Sequence, residues 1–347
     1  MKNKSVLIIY TGGTIGMVND PETGALCPFD FEQIARAVPE IRELGFGIDS
    51  YTLPEIIDSS DLQPGVWAEL CRVIAERYDR YCGFVVLHGT DTMAYSASAL
   101  SFMLGNLSKP VVFTGSQLPI GTVRTDGREN LITALEIAAA EKDGQAMVPE
   151  VCILFGAKLF RGNRTTKVDA ERFDAFQSFN YPPLAEIGIH IHYNEDAIVD
   201  APFHGGVEVF DRMDTHVAVL KLFPGIRPEI MDAVIRTPGL RGLILESYGA
   251  GNAPTSDWFL ARVKEAEERG IVVYNVTQCQ GGSVEMGRYE TSRGLIGCGV
   301  VSGYDSTIEA AVCKLMYLLA CFSDVNEVKK YLNIPLKGEI TPKRIGF

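Results

Sequence analysis

Short β-rich apolar runs recur along this chain, and each gives way to a polar, glycine-bearing turn and then to a helix-like segment. That alternation is the pattern of parallel strands joined by crossover helices, because parallel neighbours need a long connection and bury both faces of their sheet. In the first half, strands are expected at Val6 to Tyr10, Gly83 to His88, Pro110 to Thr114 and Val151 to Phe155. Helices are expected between them at Pro64 to Tyr78, Thr92 to Leu104 and Arg128 to Ala140. The pattern turns irregular around Pro182 to Gly206, which marks a connection between domains. Beyond it, strands are expected at His216 to Phe223, Gly242 to Ser247, Ile271 to Thr277 and Leu295 to Val301. The accompanying helices are Pro228 to Ile235, Ser256 to Arg269 and Thr307 to Cys321. The fold class is α/β with two α/β domains. Residues 1–190 form the larger, with a mostly parallel doubly wound sheet; 191–214 form a linker; and 215–347 form a smaller parallel-sheet domain.

Ligands of an open parallel sheet bind beyond the carboxyl ends of its strands. Four such ends are unusually polar: TGGTIG (Thr11 to Gly16), HGTDT (His88 to Thr92), TGSQ (Thr114 to Gln117) and GAKLFRGNRTTK (Gly156 to Lys167). Glycines let backbone amides approach a ligand, while threonine hydroxyls, Asp91 and Lys167 offer a nucleophile, a carboxylate and a base. That set suits acyl transfer in the manner of serine–lysine catalysis. Each piece alone also has a plain structural reading. Thr90, Asp91 and Thr92 could be an N-cap cluster before the apolar helix, TGGTIG could be a phosphate turn without the GxGxxG spacing, and Lys167 beside Arg164 could be a solvated charge.

Bulk properties narrow the partners. The formal charge of −12 argues against nucleic acid and anionic membranes, both of which need a positive surface. Eight scattered cysteines show no CxxC pair or zinc spacing, as expected of thiols in a reducing compartment. The strand-like VLIIY directly after MKNKS leaves no room for a signal peptide's apolar region, so a cytoplasmic location is expected. His190 and His192 could share one strand face, but a third metal ligand is not evident, and no metal or cofactor is expected.

The strand followed by TGGTIG, with HGTDTMAYSASAL about seventy residues later, resembles the two signature motifs of the L-asparaginase family. The likeness continues through IIDSSD, TGSQLP, FRGNRTTK, SYGAGNAP and VTQC, and without a leader it favours the cytoplasmic type I branch. The resemblance implies hydrolysis of L-asparagine to L-aspartate and ammonia, with Thr14 as nucleophile and Thr90, Asp91 and Lys167 as the accompanying triad. It implies substrate contacts from Asp58, Ser59, Ser60, Thr90 and Asp91, with Asn252 contributed by a neighbouring subunit of a homodimer or homotetramer. Read alone, Asp58 to Asp61 would be a helix cap. Alternatives on the same scaffold are a glutaminase, another side-chain amidase such as one acting on misacylated transfer RNA, or a non-catalytic amino-acid sensor. The RNA-directed relatives carry an extra N-terminal domain, and a sensor would have lost the nucleophile or the lysine.

Two positions depart from the family pattern. The loop after the first motif ordinarily carries an activating tyrosine, whereas NDPETGALCPF (Asn19 to Phe29) has Ala25 there, so that Tyr10 or Tyr289 substitutes or the hydroxyl is dispensed with. Some type I enzymes also bind asparagine at an allosteric site containing the VTQC segment and an arginine. Thr277, Gln278 and Cys279 are present, but Glu246 stands where that arginine is expected, and a carboxylate would repel the effector's own.

Overall fold

The computed structural model describes residues 4–19, 26–28, 36–201, 205–287 and 290–341. The chain divides into two compact units, Met1–Asp211 and Arg212–Phe347. The first is built on eight strands: β1 (Ser5–Tyr10), β2 (Gly47–Thr52), β3 (Gly83–Leu87), β4 (Val111–Thr114), β5 (Val151–Phe155), β6 (Lys158–Arg161), β7 (Ala185–Ile187) and β8 (Ile191–Tyr193). Their order is β8-β7-β6-β5-β4-β3-β1-β2. The five strands from β1 to β5 are mutually parallel, and β6, β7 and β8 continue the sheet as antiparallel neighbours.

Three helices cover this sheet: α1 (Pro64–Arg77), α2 (Met93–Met103) and α3 (Gly127–Ala139). Successive side chains of a strand face opposite ways, and here both faces are apolar. Val6, Ile8, Val85, Leu87, Val112, Cys152 and Leu154 join Leu131, Ala134, Leu135 and Ala138 of α3 in one buried cluster. The alternate residues Leu7, Ile9, Phe84, Val86, Phe113 and Ile153 are equally buried on the other face, where the Phe84 ring stacks on Tyr78 just beyond α1. Helices on both faces make the sheet doubly wound, as expected. Each such side chain contributes roughly 1.5–3 kcal/mol by leaving water, so the strand ends are held by a stiff base.

The second unit has a parallel sheet of β9 (Val217–Lys221), β10 (Gly242–Ser247), β11 (Val272–Thr277) and β12 (Val301–Ser302) in that order. Its helices are α4 (Pro228–Ile235), α5 (Asp257–Glu268), α6 (Glu290–Gly297), α7 (Ile308–Cys321) and α8 (Val325–Leu332).

Three expectations need correction. Leu295 to Val301 is not one strand: Leu295 belongs to α6 and is fully buried, the chain reverses at Gly299 (φ 72°), and only Val301–Ser302 is strand. A short apolar run cannot by itself tell a buried helix end from a strand. Residues 191–193, expected to open the linker, form edge strand β8 of the first sheet. Gly156 to Lys167 is not a strand-end loop. It makes an antiparallel hairpin with β5, then a buried 3-10 turn at Gly162–Arg164, and only afterwards reaches the short strand Thr166–Lys167.

Candidate active site

The loops after β1, β3 and β4 meet because their backbones touch. Thr11 donates through both its N–H (3.1 Å) and its hydroxyl (3.0 Å) to the Leu87 carbonyl, tying the first loop to the end of β3. Gly12 (φ 129°) and Gly13 (φ 90°) lie in the region that favours glycine. A Cβ on Gly12 would collide with the Ile57 carbonyl oxygen, and one on Gly13 would sit 2.5 Å from Gly89 N. Thr14 opens the 3-10 turn Thr14–Gly16, closed by Gly16 N–H to Gly13 O at 3.2 Å, and its side chain is half-buried beside the contact with the second loop.

At the second loop, Lys167 Nζ donates to Thr90 Oγ1 at 2.8 Å and to Asp91 Oδ1 at 2.7 Å. The lysine side chain is 17% exposed and that of Asp91 64%, so the ammonium is largely enclosed while the carboxylate opens to solvent. Lys167 is thus no solvated charge, and its neighbour Arg164 is buried as well. The strand pair Thr166–Lys167 with Phe176–Gln177 carries the lysine back to the site after the chain has left it along β6. Thr90 Oγ1 also lies 3.4 Å from Gln117 Oε1. The capping reading of this segment does not hold. Thr92 is the N-cap residue of α2, but its hydroxyl makes no cap bond and donates instead to the Ser59 carbonyl at 2.7 Å.

That bond brings in the Asp58–Ser60 segment. Asp58 Oδ1 accepts from Ser60 N–H (2.9 Å) and Ser60 Oγ (2.8 Å), so Asp58 does cap the short turn Ser59–Asp61. These two bonds, the backbone one first, hold its carboxyl below the usual carboxylate range. Ser59 is buried against Gly89, while Asp58 and Ser60 stay exposed.

Asp126 and Asn130 carry no sequence signal of their own, and His88 carries one only as the first residue of HGTDT. Asp126, just before α3, accepts from Gln117 N–H (3.0 Å to both oxygens) and Leu118 N–H (3.2 Å) rather than capping its helix; burial pushes its carboxyl up. Asn130 in α3 donates to Gly115 O (3.0 Å) and accepts from Gly156 N–H (3.2 Å), joining the third strand end to the fourth. His88 is buried, with Nδ1 2.7 Å from Gly89 O and Nε2 2.9 Å from Ser96 Oγ, and burial lowers its pKa to about 4.

A family model described as "Asparaginase, N-terminal" matches residues 5–199, and one described as "Glutaminase/Asparaginase C-terminal domain" matches residues 216–332. The chain belongs to the asparaginase family. It is 44% identical to L-asparaginase 1 of Escherichia coli (strain K12) over 99% of both chains. It is 41% identical to the human 60 kDa lysophospholipase, over 99% of this chain and 62% of that one. Among solved structures, L-asparaginase I from Vibrio cholerae superposes with a TM-score of 0.88 at 41% identity, covering 98% of this chain and 99% of the other.

Asn252, in the second unit, exchanges backbone bonds with Tyr248 (2.8 and 2.9 Å) in a turn containing Gly249 and Gly251, both at positive φ. Thr277 Oγ1 donates to Gly249 O at 2.6 Å, and Gln278 Nε2 donates to Leu222 O (2.6 Å) and Glu246 O (2.7 Å). Cys279 N–H donates to Thr277 Oγ1 at 3.0 Å, and Glu246 Oε1 lies 4.0 Å from Lys221 Nζ. The Thr277 hydroxyl and the Gln278 amide nitrogen are therefore engaged with backbone carbonyls. Ala25 and Tyr289 lie outside the described residues. Tyr10 is packed in the core beneath Gly16, and burial raises its phenol to about 12, well away from easy proton exchange. His190 and His192 are exposed at the β7–β8 hairpin. Among the described residues no group of three or more His, Cys, Asp or Glu is placed to hold a metal, and no helix is long and apolar enough to cross a membrane.

Proposed function

We propose that this chain hydrolyses L-asparagine to L-aspartate and ammonia, with Thr14 as nucleophile and Thr90, Asp91 and Lys167 in support. The observation that carries this reading is Lys167 Nζ bridging Thr90 Oγ1 and Asp91 Oδ1 in a loop packed against the glycines that precede Thr14. Thr14 Oγ attacks the side-chain amide carbon, and backbone N–H groups of the glycine turns steady the oxyanion. The hydroxyl proton passes to the departing nitrogen, which leaves as ammonia and gives a threonyl ester. Water then attacks the ester, releasing the carboxyl product and restoring the Thr14 hydroxyl. Asp91 pairs with the α-ammonium of the substrate, and Asp58, Ser59 and Ser60 contact its amino-acid end.

We further propose a homodimer or homotetramer in the cytoplasm, with Asn252 reaching a neighbour's site. The free thiols of Cys71, Cys82, Cys152, Cys279, Cys298 and Cys321 accord with a reducing compartment. Activity survives alanine at position 25 with altered turnover, and Glu246 leaves asparagine cooperativity weak or absent. A clearly sigmoidal rate curve would contradict the last point. Undetectable turnover that Ala25→Tyr restores would show that the alanine had disabled the enzyme.

The deciding experiment is ammonia release from L-asparagine, D-asparagine and L-glutamine by pure protein, with Thr14→Ala as control. L-Asparagine should be preferred, and the control should lose at least about 10³-fold. Unchanged release by Thr14→Ala removes Thr14 from the mechanism, and preference for L-glutamine makes the chain a glutaminase.

A further inference from the structure

Beneath the second catalytic loop three buried side chains from three elements form one hydrogen-bonded line. Trp67 of α1 donates from Nε1 to Ser96 Oγ of α2 at 2.9 Å, Ser96 Oγ lies 2.9 Å from His88 Nε2, and His88 Nδ1 lies 2.7 Å from the Gly89 carbonyl. All three are at most 5% exposed. The chemistry of the groups orders the protons without ambiguity. The Gly89 carbonyl only accepts, so His88 Nδ1 carries the proton; Nε2 of a neutral ring then accepts from the Ser96 hydroxyl, which in turn accepts from the Trp67 indole N–H.

This ordering has a geometric result at the site. The peptide between Gly89 and Thr90 is trans, so a carbonyl held on the His88 side turns the Thr90 N–H to the opposite side of that peptide. Thr90 Cα follows in the same plane, and its hydroxyl is the group that Lys167 Nζ binds. The loop is closed from other directions too: a Cβ on Gly115 would strike the His88 carbonyl, and the Phe113 ring meets the imidazole edge-on with centroids 5.8 Å apart. We propose that the Trp67–Ser96–His88 line is a positioning device that fixes the plane of the Gly89–Thr90 peptide and thereby aims the Thr90 hydroxyl and N–H at the reacting centre. The proposal rests on the amidohydrolase reading above. It assigns roles to three buried residues that act through Thr90. Burial keeps the imidazole neutral, so the proton order persists through the working pH range.

The test joins kinetics to spectroscopy on the full chain. Ser96→Ala and Trp67→Phe should lower kcat for L-asparagine by about 5- to 50-fold, with KM changed less than about 2-fold, because the loss is one of aim and not of substrate contact. The double variant should be no worse than Ser96→Ala alone, since both cut the same line. His88→Asn, whose amide can still donate to Gly89 O, should recover much of the turnover lost in His88→Ala. ¹⁵N spectra of the imidazole should show a protonated Nδ1 and an unprotonated Nε2. Unchanged kcat in folded Ser96→Ala and Trp67→Phe overturns the proposal, as does an Nε2-protonated ring. Absence of ammonia release by the wild-type protein would instead overturn the amidohydrolase reading, and the imidazole spectrum would still decide the relay.

Discussion

His88 shows how one residue type can be misjudged by its usual chemistry. A histidine inside a catalytic motif invites a proton-transfer role, yet burial to the point of a pKa near 4 leaves it uncharged at neutral pH. The unfolded ring titrates near 6.5 and the folded ring near 4, so the unfolded state binds more protons between those values and stability rises with pH. The contribution is complete above pH 6.5 and is lost as the pH falls through 4, by roughly 3 kcal/mol once the ring is protonated in both states. Urea unfolding of wild type and His88→Asn at pH 7 and pH 4.5 should therefore show the smaller acid loss in the variant; equal losses would place the imidazole in a wetter site. Lys167 belongs to the same scale. Lys167→Met should retain the fold and lose at least about 10²-fold in turnover, because Thr90 and Asp91 would keep their places without the group that joins them. Retained turnover would free the lysine of a catalytic role.

Among the elements, the glycine turns and the Gly156–Lys167 segment decide most. Gly13→Ala would force a side chain into positive φ and drive its Cβ into Gly89 N, so the first loop would have to withdraw from the second. The expected outcome is a folded protein with turnover reduced by about 10²-fold or more, read by ammonia release beside circular dichroism. The hairpin that returns Lys167 is anchored by Arg161, whose Nε donates to Glu150 Oε2 at 2.6 Å and whose terminal nitrogen donates to Ala197 O at 2.8 Å. Breaking one side of an enclosed pair strands the other charge, so Arg161→Met should cost about 3–5 kcal/mol in urea unfolding. A change below about 1 kcal/mol would mean that water reaches Glu150.

At the scale of the whole molecule, each of the two units closes its own core. In the second unit the fully buried Lys314 meets Glu339 Oε1 at 2.6 Å and also donates to Leu332 O (2.9 Å) and Ile334 O (2.7 Å). Lys314→Met should destabilise by about 3–5 kcal/mol, with the faster hydrogen exchange confined to residues 212–341; exchange spread evenly over both units would contradict that assignment. The alternation of β-rich runs with helical segments determined the α/β class, nearly every long element and the identity of the polar strand ends, because apolar periodicity and glycine placement are local properties of a chain. The motif residues Thr14, Thr90, Asp91 and Lys167 could be named on the same basis once their order was matched to a family. Local pattern could not show that Lys167 arrives by a hairpin and a return strand, since the return strand Thr166–Lys167 is only two residues long. Nor could it show that Thr92 ties down Ser59 rather than capping its helix, or that Asp126, Asn130, Trp67 and Ser96 brace the loops. Those roles depend on which polar groups are enclosed together and must find partners there, and only the tertiary structure decides that.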